Sequence, residues 1–292
     1  MANIAAVILA GGQGSRIGGD VPKQYLELCG KPILKYSIEA FEESDVDDIF
    51  IVADSEHADL AQTIAMGSKK VRNIIIGGEE RYDSVYNALE FLNERYSPDV
   101  VLIHDGARPF VTPELIEKII AGVKSSGAAI AAVKAKDTIK IAKDEDVILQ
   151  TVPRSLCYQA QTPQGFDFTL LWEAYEQIVG SLYEDDEDDE ELDEEAVSDE
   201  AENEIVVEVG EDGEVDIDSL FDDIVLDEDE EAEVEMEEGE EYFYLPEITD
   251  DAGVFEMVFP GKYIKLIDGG YENFKITTKE DLEYAEYLME KR

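Results

Sequence analysis

Positive charge is what this chain has least of: 23 lysines and arginines stand against 72 aspartates and glutamates, a formal net charge of -49 at pH 7 over 292 residues. Nucleic acid is held through a basic footprint, so a nucleic-acid partner is not expected. The shortage is uneven. Residues 184–247 contain 35 of the acidic residues and no Lys or Arg, so the rest of the chain has 37 acids against 23 basic residues. There are only two cysteines, Cys29 and Cys157, with no motif around either, which suits packing roles in a reducing compartment better than a disulfide framework. No run of about 18 apolar residues occurs and no basic leader precedes the first apolar stretch, so membrane spanning and export are not expected and the cytoplasm is the expected location.

Two common phosphate-binding signatures are also missing. The P-loop closes on Gly-Lys-Ser/Thr, whereas Gly14 is followed by Ser15 and Arg16. The dinucleotide fingerprint needs a glycine at position 17, where Ile17 stands. What is present is an apolar strand, Ala5 to Leu9, running into Ala10-Gly11-Gly12-Gln13-Gly14. Glycines there let the backbone turn with its N–H groups outward, a geometry that cradles anions, although a turn without a ligand would use the same residues. Two fixed cations follow, Arg16 and Lys23, with Pro22 stiffening the approach to Lys23. Loop, arginine and lysine together read as a grip on a triphosphate.

From residue 1 to about 135, apolar strands (3–9, 48–53, 71–76, 99–104, 128–134) alternate with amphipathic helical patterns (33–43, 56–66, 82–96, 113–125). This alternation predicts an α/β domain, a mostly parallel sheet covered by helices, with ligands at the carboxyl ends of the strands. Leu9 leads into the glycine loop, Ile76 into Gly77-Gly78, and Ile103 into His104-Asp105-Gly106. Gly77-Gly78 can free backbone groups to read a base edge, with Ser84 adding a hydroxyl from the next helix; a plain turn and a helix surface residue are the alternative. Asp105 is a carboxylate at a strand tip, where catalytic groups or oxygen ligands for Mg²⁺ are presented, and Arg108 beside it can grip a phosphate or a polyol. His104, a lone histidine at a strand end, reads as structural. Lys134 to about residue 160 has the pattern of a β-hairpin arm turning at Lys143-Asp144-Glu145-Asp146.

The run LAGGQGSRIGGDVPKQY (9–25) resembles the signature of nucleotidyltransferases that act on sugar phosphates. With GGEERYDSV (77–85), IHDGARPF (103–110), KDTIK (136–140), YQAQTPQGF (158–166), TDDA (249–252) and NFKITT (273–278), the chain resembles the methylerythritol phosphate cytidylyltransferase family, collinearly over most of 1–180 and 248–292. The resemblance implies a Rossmann-like, glycosyltransferase-A-like nucleotidyltransferase fold at 1–183 and 246–292. It implies CTP binding by Ala10, Gly11, Gly12, Gly14, Gly78, Glu79, Ser84 and Gly106, and catalysis by Arg16 and Lys23. A polyol phosphate is expected to be held by Asp105, Arg108, Thr138, Arg154 and Lys275. The arm is expected to embrace a second subunit, giving a homodimer. Mg²⁺ is expected mainly on the triphosphate, with Asp105 a candidate ligand.

The acidic insertion, 184–245, departs from the family, whose chain makes only a short connection here. Runs such as Glu184 to Glu191 self-repel, so most of it is expected to be disordered. A hairpin around Gly210–Gly213 and a partner-binding or cation-binding role are the alternatives to a solvating linker; no EF-hand loop is spelled out. After it, Thr249 or Asp250 is expected to cap a helix, Tyr263 to Ile267 to form a strand, and Thr278 with Asp281 to form a variant capping box. The expected reaction is transfer of a cytidylyl group from CTP to a polyol phosphate with release of pyrophosphate. Ribitol 5-phosphate is the alternative acceptor, and a non-catalytic binding protein acting through the acidic insertion is the alternative class.

Overall fold

The computed structural model describes residues 2–12, 21–144, 147–181 and 248–292. Seven strands form one sheet: β1 (Ile4–Leu9), β4 (Asp48–Ala53), β5 (Val71–Ile76), β6 (Val100–Asp105), β7 (Ala128–Lys134), β10 (Tyr158–Asp167) and β11 (Lys265–Asp268), in the order β11-β7-β10-β6-β1-β4-β5. A small hairpin pairs β2 (Glu27–Leu28) with β3 (Lys31–Pro32), and a separate ribbon pairs β8 (Lys140–Asp144) with β9 (Val147–Thr151). The helices are α1 (Ile33–Glu42), α2 (Ala58–Ala65), α3 (Arg81–Arg95), α4 (Pro113–Ser126), α5 (Phe168–Tyr175), α6 (Asp251–Val258) and α7 (Lys279–Lys291).

β1 shows why the strands read as unbroken apolar runs. Ile4, Ala6 and Ile8 pack on one side against α1 and α4, while Ala5 and Val7 pack on the other against α3 and α5. A strand buried on both faces has no polar positions to alternate. Helix ends follow local chemistry: Thr112 Oγ1 accepts from Leu115 N at 3.3 Å with Pro113 behind it, and Gly127 closes α4 at φ 83°.

The expected α/β class and all five early strands are present, and β1, β4, β5, β6, β7 and β11 run parallel where they pair. The chain crosses from β1 outward to β4 and β5, then returns to β6 on the other side of β1. Loops after β1 and β6 therefore diverge, and a crevice opens between their ends. In the main sheet, the strand missing from the sequence reading is β10, which lies antiparallel between β6 and β7. Its register shifts between Ala160 and Gln164, around a cis Thr162–Pro163 peptide.

Three local expectations are corrected. Cys29 is not a packing residue: it is exposed in the β2–β3 turn at φ 52°, beside Gly30 at φ 79°. The late strand begins at Lys265, where pairing with Ala129 starts, and Tyr263 is 88% exposed outside it. The helix expected over 167–179 is α5, followed by one wider turn, Glu176–Gly180, with five-residue hydrogen-bond spacing. Asp250, rather than Thr249, caps α6 by accepting from Gly253 N at 2.9 Å, and the Thr278–Asp281 capping box is formed. The acidic insertion 184–245 lies outside the described residues.

Candidate active site

The end of β1 is stapled by the segment that follows the glycine loop. Gln24 Nε2 donates to the carbonyls of Ala10 (2.6 Å) and Gly12 (3.0 Å), and Tyr25 OH donates to Ala10 O at 2.9 Å. Both residues are buried in a single 3-10 turn, Lys23–Tyr25, that Lys23 opens. Lys23 is half-buried at the start of this turn. A Cβ placed on Gly12 would meet nothing within 4 Å, and one on Gly11 would meet only ordinary contacts, the nearest 3.5 Å away. Among the described residues nothing demands glycine at either position, and a backbone left open in this way gives a ligand room for close approach. Gly14 and Arg16 lie outside the described residues.

Gly106 and Gly77 are different. A Cβ on Gly106 would come within 2.8 Å of Leu9 O, because Gly106 N donates to that same carbonyl at 2.8 Å and ties the ends of β1 and β6 together. A Cβ on Gly77 would come within 2.6 Å of Ser84 Oγ, and one on Gly78 would collide with Asp83. These glycines let α3 begin directly over the strand ends, where Glu80 and Asp83 form a reciprocal capping box. Ser84 is buried at this first turn and Glu79 is exposed on the bend before it.

Asp105 is the hub. Its Oδ2 lies 3.1 Å from Arg108 Nε and 3.3 Å from Lys275 Nζ, and its Oδ1 lies 3.7 Å from Arg81 Nε. Burial alone would raise the carboxyl's pKa, but Lys275, Arg81 and Arg108 around it prevail and hold it well below the usual carboxylate range. Arg108 is itself buried and gives a second donor, Nη1, to Asn273 O at 3.0 Å, so much of its hydrogen bonding is spent inside the protein. Asn273 in turn donates to Thr162 O at 2.9 Å, and Thr162 Oγ1 accepts from Asp105 N at 3.0 Å. The β10 irregularity thus grips the tip of β6. A cavity of about 240 Å³ opens here, lined among others by Arg81, Asp105, Arg108, Gln161, Asp250 and Lys275. A larger depression of about 590 Å³ lies at the opposite ends of the strands, around Asp99, Lys124 and Asp167, away from this chemistry.

As a Mg²⁺ ligand Asp105 fits poorly. Its oxygens already face three cations, and among the described residues no group of three or more His, Cys, Asp or Glu is arranged to hold a metal ion. Thr138 and Arg154 sit exposed at the root of the β8–β9 arm, and neither is among the residues lining the cavity; Arg154 Nη1 donates to Lys136 O at 2.8 Å. Residues the sequence reading passed over are Arg81, Thr162, Tyr175, Asp251 and Asn273. Arg81, Thr162, Asp251 and Asn273 all stood inside quoted motifs without being singled out, Asp251 in a segment whose residue-level reading was a helix cap.

His104 is structural, as expected. It is fully buried, its Nδ1 lies 3.0 Å from Thr162 Oγ1, and Nε2 has no hydrogen-bond partner among the described residues. Burial pushes its pKa down to about 3. The unfolded chain therefore binds a proton that the folded chain refuses below about pH 6.5, and stability falls as pH drops from there toward 3. Between about pH 7.5 and 5 this group should cost up to ~2 kcal/mol, at about 1.36 kcal/mol per pH unit below 6.5. Urea midpoints at the two pH values should show a flatter dependence in His104→Gln; equal slopes would mean that His104 does not stay neutral in the fold.

The family model described as IspD, 2-C-methyl-D-erythritol 4-phosphate cytidylyltransferase, matches residues 4–211 and 239–291, breaking inside the acidic insertion. A 2-C-methyl-D-erythritol 4-phosphate cytidylyltransferase of Clostridium botulinum is 39% identical over 98% of this chain and 99% of its own. One of Lachnoclostridium phytofermentans is 39% identical over 99% and 97%. The crystal structure of 4-diphosphocytidyl-2C-methyl-D-erythritol synthase from Anaerococcus prevotii superposes with a TM-score of 0.69 at 25% identity, covering 99% of this chain and 96% of that one. With that family model matching most of the chain and relatives 39% identical over nearly its whole length, the chain belongs to the 2-C-methyl-D-erythritol 4-phosphate cytidylyltransferase family.

Proposed function

We propose that this protein transfers the cytidylyl group of CTP to the phosphate of 2-C-methyl-D-erythritol 4-phosphate and releases pyrophosphate. The observation that carries the reading is the meeting of two halves at the switch between β1 and β6: an anion-ready glycine loop braced by Gln24 and Tyr25, and a cluster of cations gathered on Asp105. The family match supports methylerythritol over ribitol as the acceptor.

A phosphate oxygen of the acceptor attacks the α-phosphorus, forming the new P–O bond. The bond from that phosphorus to the bridging oxygen breaks, and pyrophosphate leaves with the electron pair. The nucleophile is already ionised at neutral pH, so the protein needs no general base; it has to align the two phosphates and offset developing negative charge. Lys23, with Arg16, serves the triphosphate, and Lys275 with the remaining donor face of Arg108 serves the acceptor. Because the described residues do not fit a protein-held Mg²⁺, we assign any Mg²⁺ to the triphosphate itself. We place the reaction in the cytoplasm, a reading that the two free cysteines support; no helix among the described residues is long and apolar enough to cross a membrane. Incubating the purified protein with CTP and either methylerythritol phosphate or ribitol 5-phosphate, and following pyrophosphate, tests the assignment. Release with ribitol 5-phosphate alone would replace the acceptor.

We also propose a homodimer in which the arm completes the neighbour's site. A two-stranded ribbon is marginal alone, and this one exposes Ile141, Val147, Ile148 and Leu149. Thr138 and Arg154 at its root then reach an acceptor in the partner. Mixing Arg154→Ala protein with Lys23→Ala protein should restore activity as subunits exchange, because each mixed dimer then contains one intact site. No recovery despite demonstrated exchange would count against a shared site.

A further inference from the structure

Asp251, the first residue of α6, has no exposed surface at all, yet it has no part in the chemistry so far described. Its two oxygens accept a paired grip from Arg81, the first residue of α3: Nη1 to Oδ1 at 3.1 Å and Nη2 to Oδ2 at 2.7 Å. Tyr175 OH, at the end of α5, donates to the same Oδ1 at 2.7 Å. Burial and the Asp251 charge push the Tyr175 pKa up, so the hydroxyl stays a donor. The start of α6 is fixed independently, since Gln164 donates to Asp250 Oδ2 at 2.8 Å and accepts from Ala252 N at 3.0 Å.

Held in this way, Arg81 turns its remaining side, Nε, toward Asp105 Oδ1 at 3.7 Å. That distance is an ion pair rather than a hydrogen bond. Asp105 gives its other oxygen to Arg108 and Lys275. A carboxylate held on one side only can swing about its Cβ–Cγ bond, and any swing redirects both cations. A buried ion pair is a poor device for stability alone, because well-packed apolar residues serve as well. Its position behind Asp105 gives it a different use.

We propose that Arg81, locked by Asp251 and Tyr175, is a positioning residue: it fixes the Asp105 carboxylate and through it the direction in which Lys275 and Arg108 meet the acceptor phosphate. The inference rests on the cytidylyltransferase reading and adds three residues to it. Tyr175 precedes the acidic insertion and Asp251 follows it, so the same clamp joins the insertion's two flanks at the site.

The test uses the full-length protein, CTP and methylerythritol phosphate, with each substrate varied in turn. Arg81→Lys keeps the charge but loses the two-pronged fork. It should raise KM for the acceptor ~10- to 100-fold, the scale for a small misplacement of a binding group, while KM for CTP changes less than about threefold. Tyr175→Phe should act in the same direction by a smaller factor. Combined with Asp105→Asn, Arg81→Lys should add no more than about a further twofold, because both act through one carboxylate. Unchanged acceptor KM, an equal rise in both KM values, or full multiplication of the two effects would each overturn the inference. Should Arg81→Lys fail to fold, Tyr175→Phe alone and with Asp105→Asn decides on the same criteria. An inactive wild type would instead overturn the functional reading, which is seen on the unmutated chain alone.

Discussion

Lys23→Ala lowers turnover at saturating CTP by ~100-fold or more, the scale for removing one preorganised charge from a transition state. The lysine opens the 3-10 turn whose Gln24 and Tyr25 hold the carbonyls of the glycine loop. Those two side chains remain in the variant, so the loop keeps its brace and the fold survives, with a melting temperature near that of the wild type. The loss should fall on kcat rather than on KM, because charge moves onto the departing pyrophosphate only as the bond breaks. Arg16→Ala should behave in the same way on the residue-level reading of the loop, although Arg16 is outside the described residues. Pyrophosphate release at saturating CTP is the measurement, and near wild-type turnover in either variant would sink the assignment of the triphosphate grip.

Asp105→Ala attacks the other half of the site and should damage stability as well as rate. Arg108 is buried with Asp105 as its charge partner, and Lys275 and Arg81 face the same carboxylate. Removing one member of a buried pair leaves an uncompensated charge, at a cost of about 3–5 kcal/mol. Urea denaturation should show that loss, and acceptor turnover should fall with it as three like charges are left to repel one another. Asp105→Asn keeps the shape and an acceptor oxygen, so it should be milder in stability than in rate. The sign of the pH dependence is fixed by the depressed pKa. The contribution of Asp105 is fully present above its unfolded value, about 3.9, and is lost only as pH falls below about 4. An acid limb in the rate near pH 6 would therefore belong to some other group, including the substrate phosphate. A stability loss under ~1 kcal/mol in Asp105→Ala, below the range for a broken buried pair, would mean that Asp105 is not the electrostatic centre of the site.

The strand end leading into the glycine loop, those at Gly77 and Asp105, the ribbon of the arm and the capping box at Thr278 were legible in the sequence, because each is written within about a dozen consecutive residues. Local chemistry is enough to show a turn, a strand tip or a helix start. β10 escaped for the same reason in reverse. Its residues, Tyr158 to Asp167, include glutamines, a proline and a glycine, which do not read as a buried strand. It is a strand because β6 and β7 flank it and the irregularity at Gln161–Pro163 absorbs what the ladder cannot use. Arg108 was read as a grip on a phosphate or the polyol; that two of its donors turn inward to Asp105 and Asn273 is a fact of packing.

What the sequence determined by itself was the class of the fold, an alternation of doubly buried strands with amphipathic helices, and the reaction type, through motifs short enough to survive as words. What only the tertiary structure decided was the electrostatic architecture of the site. Arg81 and Asp251 are 170 positions apart and meet in a two-pronged pair, while Lys275 meets Asp105 from the far end of the chain. No local pattern encodes such meetings. A charge's partner is set by which strand ends the sheet order brings together, and burial then makes that partner obligatory, because a desolvated charge left alone costs more than the fold has to spare.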